Sequence, residues 1–152
     1  MALLAIDPGT VASGFVVLDG TRIINAGVVG NAVMLQRVRE SSDEIVIEMV
    51  ASMGMAVGRE VFETVLWIGR FIEASNGNAH RLFRKDIKLH LCGTPRAKDA
   101  NIWQVIVDRF GGKETAIGRK KTPGPLYGVS SHARAALAVG LCWLDGVRSE
   151  GL

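Results

Sequence analysis

Apolar residues gather into short bounded runs in the first third of the chain and spread into helical periods further on. Leu3–Ile6 is unbroken and stops at Asp7-Pro8-Gly9; Gly14–Leu18 follows, and then Arg22–Val29, the last two joined by Asp19-Gly20. Runs this short, without a 3.6-residue period and bounded by Pro or Gly, predict buried strands, and Asp-Gly suits a tight hairpin turn. The opening is thus expected to be an antiparallel meander of three strands. Asn31–Ser42 is polar apart from a few residues such as Val33, Leu35 and Val38, and predicts a loop or short helix. The β-branched Ile45–Ile47 within Glu44–Glu48 predicts a fourth strand.

Beyond it the period changes. Arg59–Ala74 predicts a helix, with Val57, Val61, Val65, Ile68 and Ile72 as the core stripe and with Phe62 and Leu66 off it, beside Arg59, Glu63, Arg70 and Glu73. In Arg81–Leu91, basic residues alternate with apolar ones, which predicts a strand between Lys85 and Leu91. Lys98–Phe110 predicts a second helix through Ile102, Trp103, Val105, Ile106 and Phe110; residues 111–128 read as a long loop. A last helix runs from a Ser130 cap to about Asp145, packing Ala135, Ala136, Leu137, Val139 and Leu141 on the sheet. Strands alternating with helices in this order indicate a single α/β domain over residues 1–152.

Two carboxylates end two of these strands. Asp7 closes the first on a stiff element, the kind of placement metal chemistry needs; an Asp before Pro-Gly is also a common turn former. Glu48 closes the fourth, and if the two strands are parallel neighbours the carboxylates meet. Such a pair repels, and one member's pKa rises unless a cation neutralises them. A strand-end Glu pointing into water is the plainer alternative. Asp99, near the start of a helix, suits the helix dipole.

Bulk composition narrows the class. At 152 residues with 48% hydrophobic and 22% charged residues, the chain is globular and long enough to bury a core. The longest near-continuous apolar run, Ala135–Leu144, is too short for a bilayer, so no membrane partner is expected. The start lacks a basic region and a cleavage-like site, and Cys92 and Cys142 lie in apolar surroundings; a cytoplasmic protein with reduced thiols is expected. Net charge is only +3, but it is unevenly spread: residues 1–80 hold five Lys/Arg against nine Asp/Glu, and residues 81–121 hold eleven against four. That asymmetry suggests carboxylate chemistry in the first half and a polyanion on the second, with a merely solvated basic face as the alternative.

The element order, together with Ala5-Ile-Asp-Pro-Gly-Thr10 and Gly14, Ile45-Val-Ile-Glu48 and Ser131-His-Ala-Arg-Ala-Ala-Leu-Ala138, resembles the RNase H-like nucleases. It is most similar to the RuvC family of Holliday junction resolvases in the short form of phages and prophages. The resemblance implies a five-stranded mixed sheet flanked by helices. It also implies a structure-selective endonuclease that resolves four-way or branched DNA by two-metal phosphodiester hydrolysis in a bacterial host. Carried over, Asp7, Glu48 and His132 are the catalytic metal ligands for two Mg²⁺ or Mn²⁺ ions per active site, with Asp7 bridging. The family often has a further acidic residue where this chain has Ala135. Either the chain is disabled there, or three ligands suffice, or Asp99 substitutes. A lone His at a helix start can equally be a capping or packing residue.

DNA contacts fall to the basic half: Arg96 and Lys98 near the scissile strand, with Arg119, Lys120 and Lys121 bracing junction arms through phosphates. A four-way junction has near two-fold symmetry, so paired cuts ask for a C2 homodimer, with the helix bearing Phe62 and Leu66 as candidate interface. Two other readings share these residues. One is a branched-DNA binder that has lost cleavage, motivated by Ala135. The other is a fragment of an actin-like ATP-binding phosphotransferase, motivated by Asp7-Pro-Gly-Thr10 with Gly14.

Overall fold

Alternation along the first strands decides the architecture. A computed structural model of the chain describes all residues except Met1 and Met53. In it β1 (Ala2–Asp7), β2 (Ala12–Asp19) and β3 (Arg22–Gly30) form the expected meander, and β4 (Glu44–Met49) lies parallel to β1 on its other side. With β5 (Ala79–Phe83), parallel to β4, the sheet order is β3-β2-β1-β4-β5. Leu4, Ile6, Phe15, Ile45 and Ile47 face one side, against α1 (Asn31–Glu40) and α2 (Arg59–Ala74). Leu3, Ala5, Val16, Leu18, Val46 and Leu82 face the other, against α3 (Arg84–Cys92), α4 (Asp99–Arg109) and α6 (Ser131–Leu144). Because the side-chain period in a strand is two, Asp7 and Glu48 take the same face as Ala5 and Val46, the face of α6.

Several expectations change in detail. The strand predicted between Lys85 and Leu91 is helix α3, and the strand lies just before it. Ile87, Leu89 and Leu91 alternate as a strand would, but Ile87 is buried and Leu89 is exposed; Ile87 and Leu91, four apart, turn together toward the core. On α2 the buried positions are Thr64, Ile68 and Phe71 and Val65 is exposed, so the core stripe is rotated from the predicted one. Of the loop or short helix expected over 31–42, the helix is realised as Asn31–Glu40, because Met34, Leu35 and Val38 are buried, while Val33 points outward. Within residues 111–128, α5 (Lys113–Ala116) leads into a ribbon of β6 (Gly118–Arg119) and β7 (Thr122–Pro123), pinned by buried Ala116 and Leu126. Ser130 is the N-cap residue of α6, yet its side chain makes no capping hydrogen bond.

Helix α6 lies close on β1 and β2 because small residues meet there. A Cβ on Gly14 would stand 2.3 Å from the His132 carbonyl oxygen, and one on Gly140 would stand 2.8 Å from Leu18 Cδ1 and 3.1 Å from Ala5 Cβ. Those two glycines set the height of α6, and with it the height of His132 above the sheet.

The turn after Asp7 is held by a buried polar network. Ser13 Oγ donates to Asn31 Oδ1 at 2.6 Å, and Asn31 Nδ2 donates to the Gly9 carbonyl at 2.9 Å. The Gly9 amide in turn donates to Ser13 Oγ at 3.3 Å. Asn31→Ala removes the acceptor of the Ser13 hydroxyl proton and the donor to the Gly9 carbonyl, and is expected to lower the unfolding free energy in urea by about 1–3 kcal/mol. A loss under about 0.5 kcal/mol, the range of an inert surface change, would mean the network does not hold this turn.

Candidate active site

Three parallel strands end on the same edge of the sheet, and each delivers one charged group there. The register pairs Ile6 with Ile47, so Asp7 and Glu48 follow as neighbours; it pairs Glu48 with Leu82 and Met49 with Phe83, so Arg84 starts α3 just beyond them. Carboxyl ends of parallel strands are where sites of α/β sheets gather. Asp7 and Glu48 keep only 17% and 7% of their side-chain surface exposed, whereas His132 keeps 69%. His132 Nδ1 lies 3.4 Å from Asp7 Oδ2. Arg84 Nη1 donates to Glu48 Oε1 at 3.0 Å, and its Nη2 donates to Asp99.

Burial and mutual repulsion leave this carboxylate pair short of positive charge. Desolvation, then the hydrogen bond and charge of Asp7, push Glu48 up to about 8, against the opposing pull of Arg84. Desolvation raises Asp7 too, with Asp99 adding to the rise, while the hydrogen bond from Glu48 and the charge of Arg84 oppose it. Near neutral pH the pair therefore retains a proton that an added cation would displace.

The sequence-derived ligands Asp7, Glu48 and His132 thus come together, with His132 touching Asp7 from the exposed side. They do not converge on a single point: among the described residues no three His, Cys, Asp or Glu side chains form a ready-made metal cage. The donor set still fits a hard divalent ion, since two buried carboxylates and an imidazole are oxygen and nitrogen donors suited to Mg²⁺ or Mn²⁺. Asp99 does not join the carboxylate pair; it opens α4 and binds the far side of Arg84.

Of the basic residues singled out in the sequence, Lys98 immediately precedes Asp99 at the N-cap of α4, and Arg96 is exposed in the turn between α3 and α4. Arg119, Lys120 and Lys121 form the exposed tip of the β6–β7 ribbon. Among the described residues no hydrogen bond or ion pair joins that tip to the carboxylates, and none of the five side chains is in an ion pair with another described residue. Phe62 and Leu66 are 64% and 59% exposed on α2, on the opposite face of the sheet from the site. No helix among the described residues is long and apolar enough to cross a membrane.

Three site features were not drawn from the sequence. Arg84 was hidden by the misplaced strand, although a cation directly after the apolar pair Leu82-Phe83 marks a strand-to-helix boundary. Ser13 and Asn31 support Asp7 from 18 residues apart in sequence, and no local pattern announces their contact.

No protein-family model matches the chain, and no curated protein matches it significantly. Solved structures do. The Thermus thermophilus RuvC structure superposes with a TM-score of 0.65 at 18% identity, covering 93% of this chain and 92% of that one. T. thermophilus RuvC in complex with Holliday junction substrate gives 0.64 at 21% identity, covering 93% and 91%. Sheet order, flanking helices and this likeness over nearly the whole chain agree: the protein has a RuvC-like fold built on a mixed five-stranded sheet.

Proposed function

We propose that the chain is a divalent-metal-dependent endonuclease that cuts branched DNA, four-way junctions above all. The observation that carries this reading is the buried Asp7–Glu48 pair at adjacent parallel strand ends, both raised in pKa chiefly by burial. The fold adds support, since a solved protein with the same fold is in complex with a Holliday junction. Asp7, Glu48 and His132 are the proposed ligands, with Mg²⁺ or Mn²⁺ as the ion. When bound, the ion activates water for attack on a phosphodiester and stabilises the leaving 3′ oxygen. Asp7 and Glu48 hold their oxygens rigidly on strand ends and would bind the ion in their ionised form. His132 closes the open side next to Asp7. The expectation of two ions depends on a fourth ligand, and Ala135 stands in its place.

Substrate contact is assigned to Arg96 and Lys98 beside the site and to Arg119, Lys120 and Lys121 on the ribbon tip, all without ion-pair partners of their own among the described residues. Phosphate contacts of this kind give salt-dependent affinity with little sequence preference. The exposed Phe62 and Leu66 support self-association into a two-fold homodimer, which would place two sites on a junction. A junction binder that does not cut is the second reading, favoured by Ala135 and by the guanidinium already seated on Glu48.

Three experiments test these assignments. Asp7→Asn is expected to reduce junction cleavage in Mn²⁺ by about a hundredfold or more, while junction binding in Ca²⁺ persists. Loss of binding together with loss of the folded state would make Asp7 structural only. Arg119→Ala, Lys120→Ala and Lys121→Ala combined should weaken junction binding and reduce the slope of log affinity against log salt by about two to three; an unchanged slope would take the ribbon out of the interface. Phe62→Glu with Leu66→Glu should give a monomer in sedimentation, and a dimer that persists would place the interface elsewhere.

A further inference from the structure

Arg84 stands at the carboxyl edge of the sheet, and the proposed metal chemistry leaves it without a task. It is not a surface cation that happens to be nearby. Its guanidinium spans two carboxylates, Glu48 at 3.0 Å and Asp99, and its side chain remains 39% exposed. The same guanidinium lines a cavity of about 490 Å³ together with Glu48, Asp99, Trp103, Arg134 and Ala135. Ala135, the position where the family resemblance puts an acidic ligand, and Arg84 line the same cavity, so the space that lacks that carboxylate is one the guanidinium borders.

We infer that Arg84 takes the place of a second metal ion, so that the site holds a single divalent ion and the guanidinium supplies the other positive charge toward the phosphate. The inference rests on the proposed nuclease reading and sets the cation stoichiometry of that site. The contacts support it: the guanidinium already occupies one of the two buried carboxylates, Glu48, at 3.0 Å, and is held in place on its other side by Asp99. The chemistry of the side chain supports it as well. A guanidinium stays charged at any working pH and carries five N–H donors in a planar fork. Two N–H groups are engaged by Glu48 and Asp99, which leaves donors for a nonbridging phosphate oxygen. Bidentate recognition of phosphate is a task for which arginine is well shaped. Lysine, a compact point charge, could not span the same two carboxylates.

Calorimetric titration of the full chain with MnCl₂, without DNA, tests this directly, with junction cleavage and thermal unfolding measured in parallel. The wild-type chain is expected to take up one Mn²⁺ per protomer. Arg84→Ala removes a competing positive charge, so Mn²⁺ affinity should rise about tenfold while junction cleavage falls about a hundredfold. A residue that only braced the fold would move both in the same direction. Arg84→Lys keeps a charge but not the fork, and should show near wild-type Mn²⁺ affinity with reduced cleavage; it serves if Arg84→Ala fails to fold. Arg84→Ala combined with Ala135→Asp is expected to bind two ions. Two ions bound by the wild-type chain, or Mn²⁺ affinity unchanged or lowered in Arg84→Ala, overturns the inference. The two levels fail separately: two ions with junction cleavage removes the role of Arg84 alone, and one ion without any cleavage removes the nuclease reading alone.

Discussion

Parallel pairing of β1 with β4 forces two carboxylates together inside the protein, and much of the local structure answers that constraint. The register leaves Asp7 and Glu48 side by side on the face covered by α6, where water is scarce. An uncompensated pair in such a place is costly, because low local dielectric magnifies repulsion and removes hydration together. Protonation and the Arg84 guanidinium each relieve part of that cost. The neighbourhood is also stiff. Ser13, Asn31 and Gly9 close a hydrogen-bonded ring behind Asp7, and Gly14 and Gly140 let α6 settle near enough for His132 to reach it. A fold that only needed stability would bury apolar side chains at these strand ends. Retaining charge there points to a ligand that the charges await.

The basic half of the chain divides in the structure into two populations. Arg109 is locked on Asp145 by two hydrogen bonds of 2.6 Å, with His90 joining the same carboxylate, and these partners hold Asp145 down to about 2. The link ties α4 and the end of α3 to the end of α6. Arg134 lies over the Trp103 ring at 4.3 Å, and Lys85 lies near Phe83. These cations serve the fold. Arg96, Lys98, Arg119, Lys120 and Lys121 have no ion-pair partner among the described residues, and neither do Arg81, Lys88 and Lys113, so this part of the excess charge is not neutralised within the fold. Net charge by segment overstates that number, since it counts both populations alike.

Much of this was legible from residue order. Bounded apolar runs placed β1 to β4, and the charged strand ends marked Asp7 and Glu48 before any geometry was known, because a strand's period of two and its Pro-Gly boundary are local properties. Arg59–Ala74 was legible for the same reason, as its period is helical throughout. The misplaced strand at 85–91 shows where local pattern gives out. Ile87, Leu89 and Leu91 satisfy both periods, and only packing against α6 decides that Ile87 and Leu91 face inward. With the strand shifted, Arg84 could not be seen as a strand-end residue. Ser13 with Asn31 and Gly14 with His132 are contacts between distant segments, and nothing in either segment alone encodes them. His132 lay in between: its place on the last helix was visible, but its approach to Asp7 depends on the close packing of α6 on β2.

Whether the carboxylate edge of this sheet is a cation-dependent centre for cutting branched DNA is decided by cleavage of a synthetic four-way junction by the wild-type chain in Mg²⁺ and in Mn²⁺, beside a linear duplex of the same sequence and a chelated control. The expected result is nicks at the junction centre in at least one of the two ions, none in the chelator, and little cutting of the duplex. An intact junction in both ions, or cleavage that survives chelation, would contradict it.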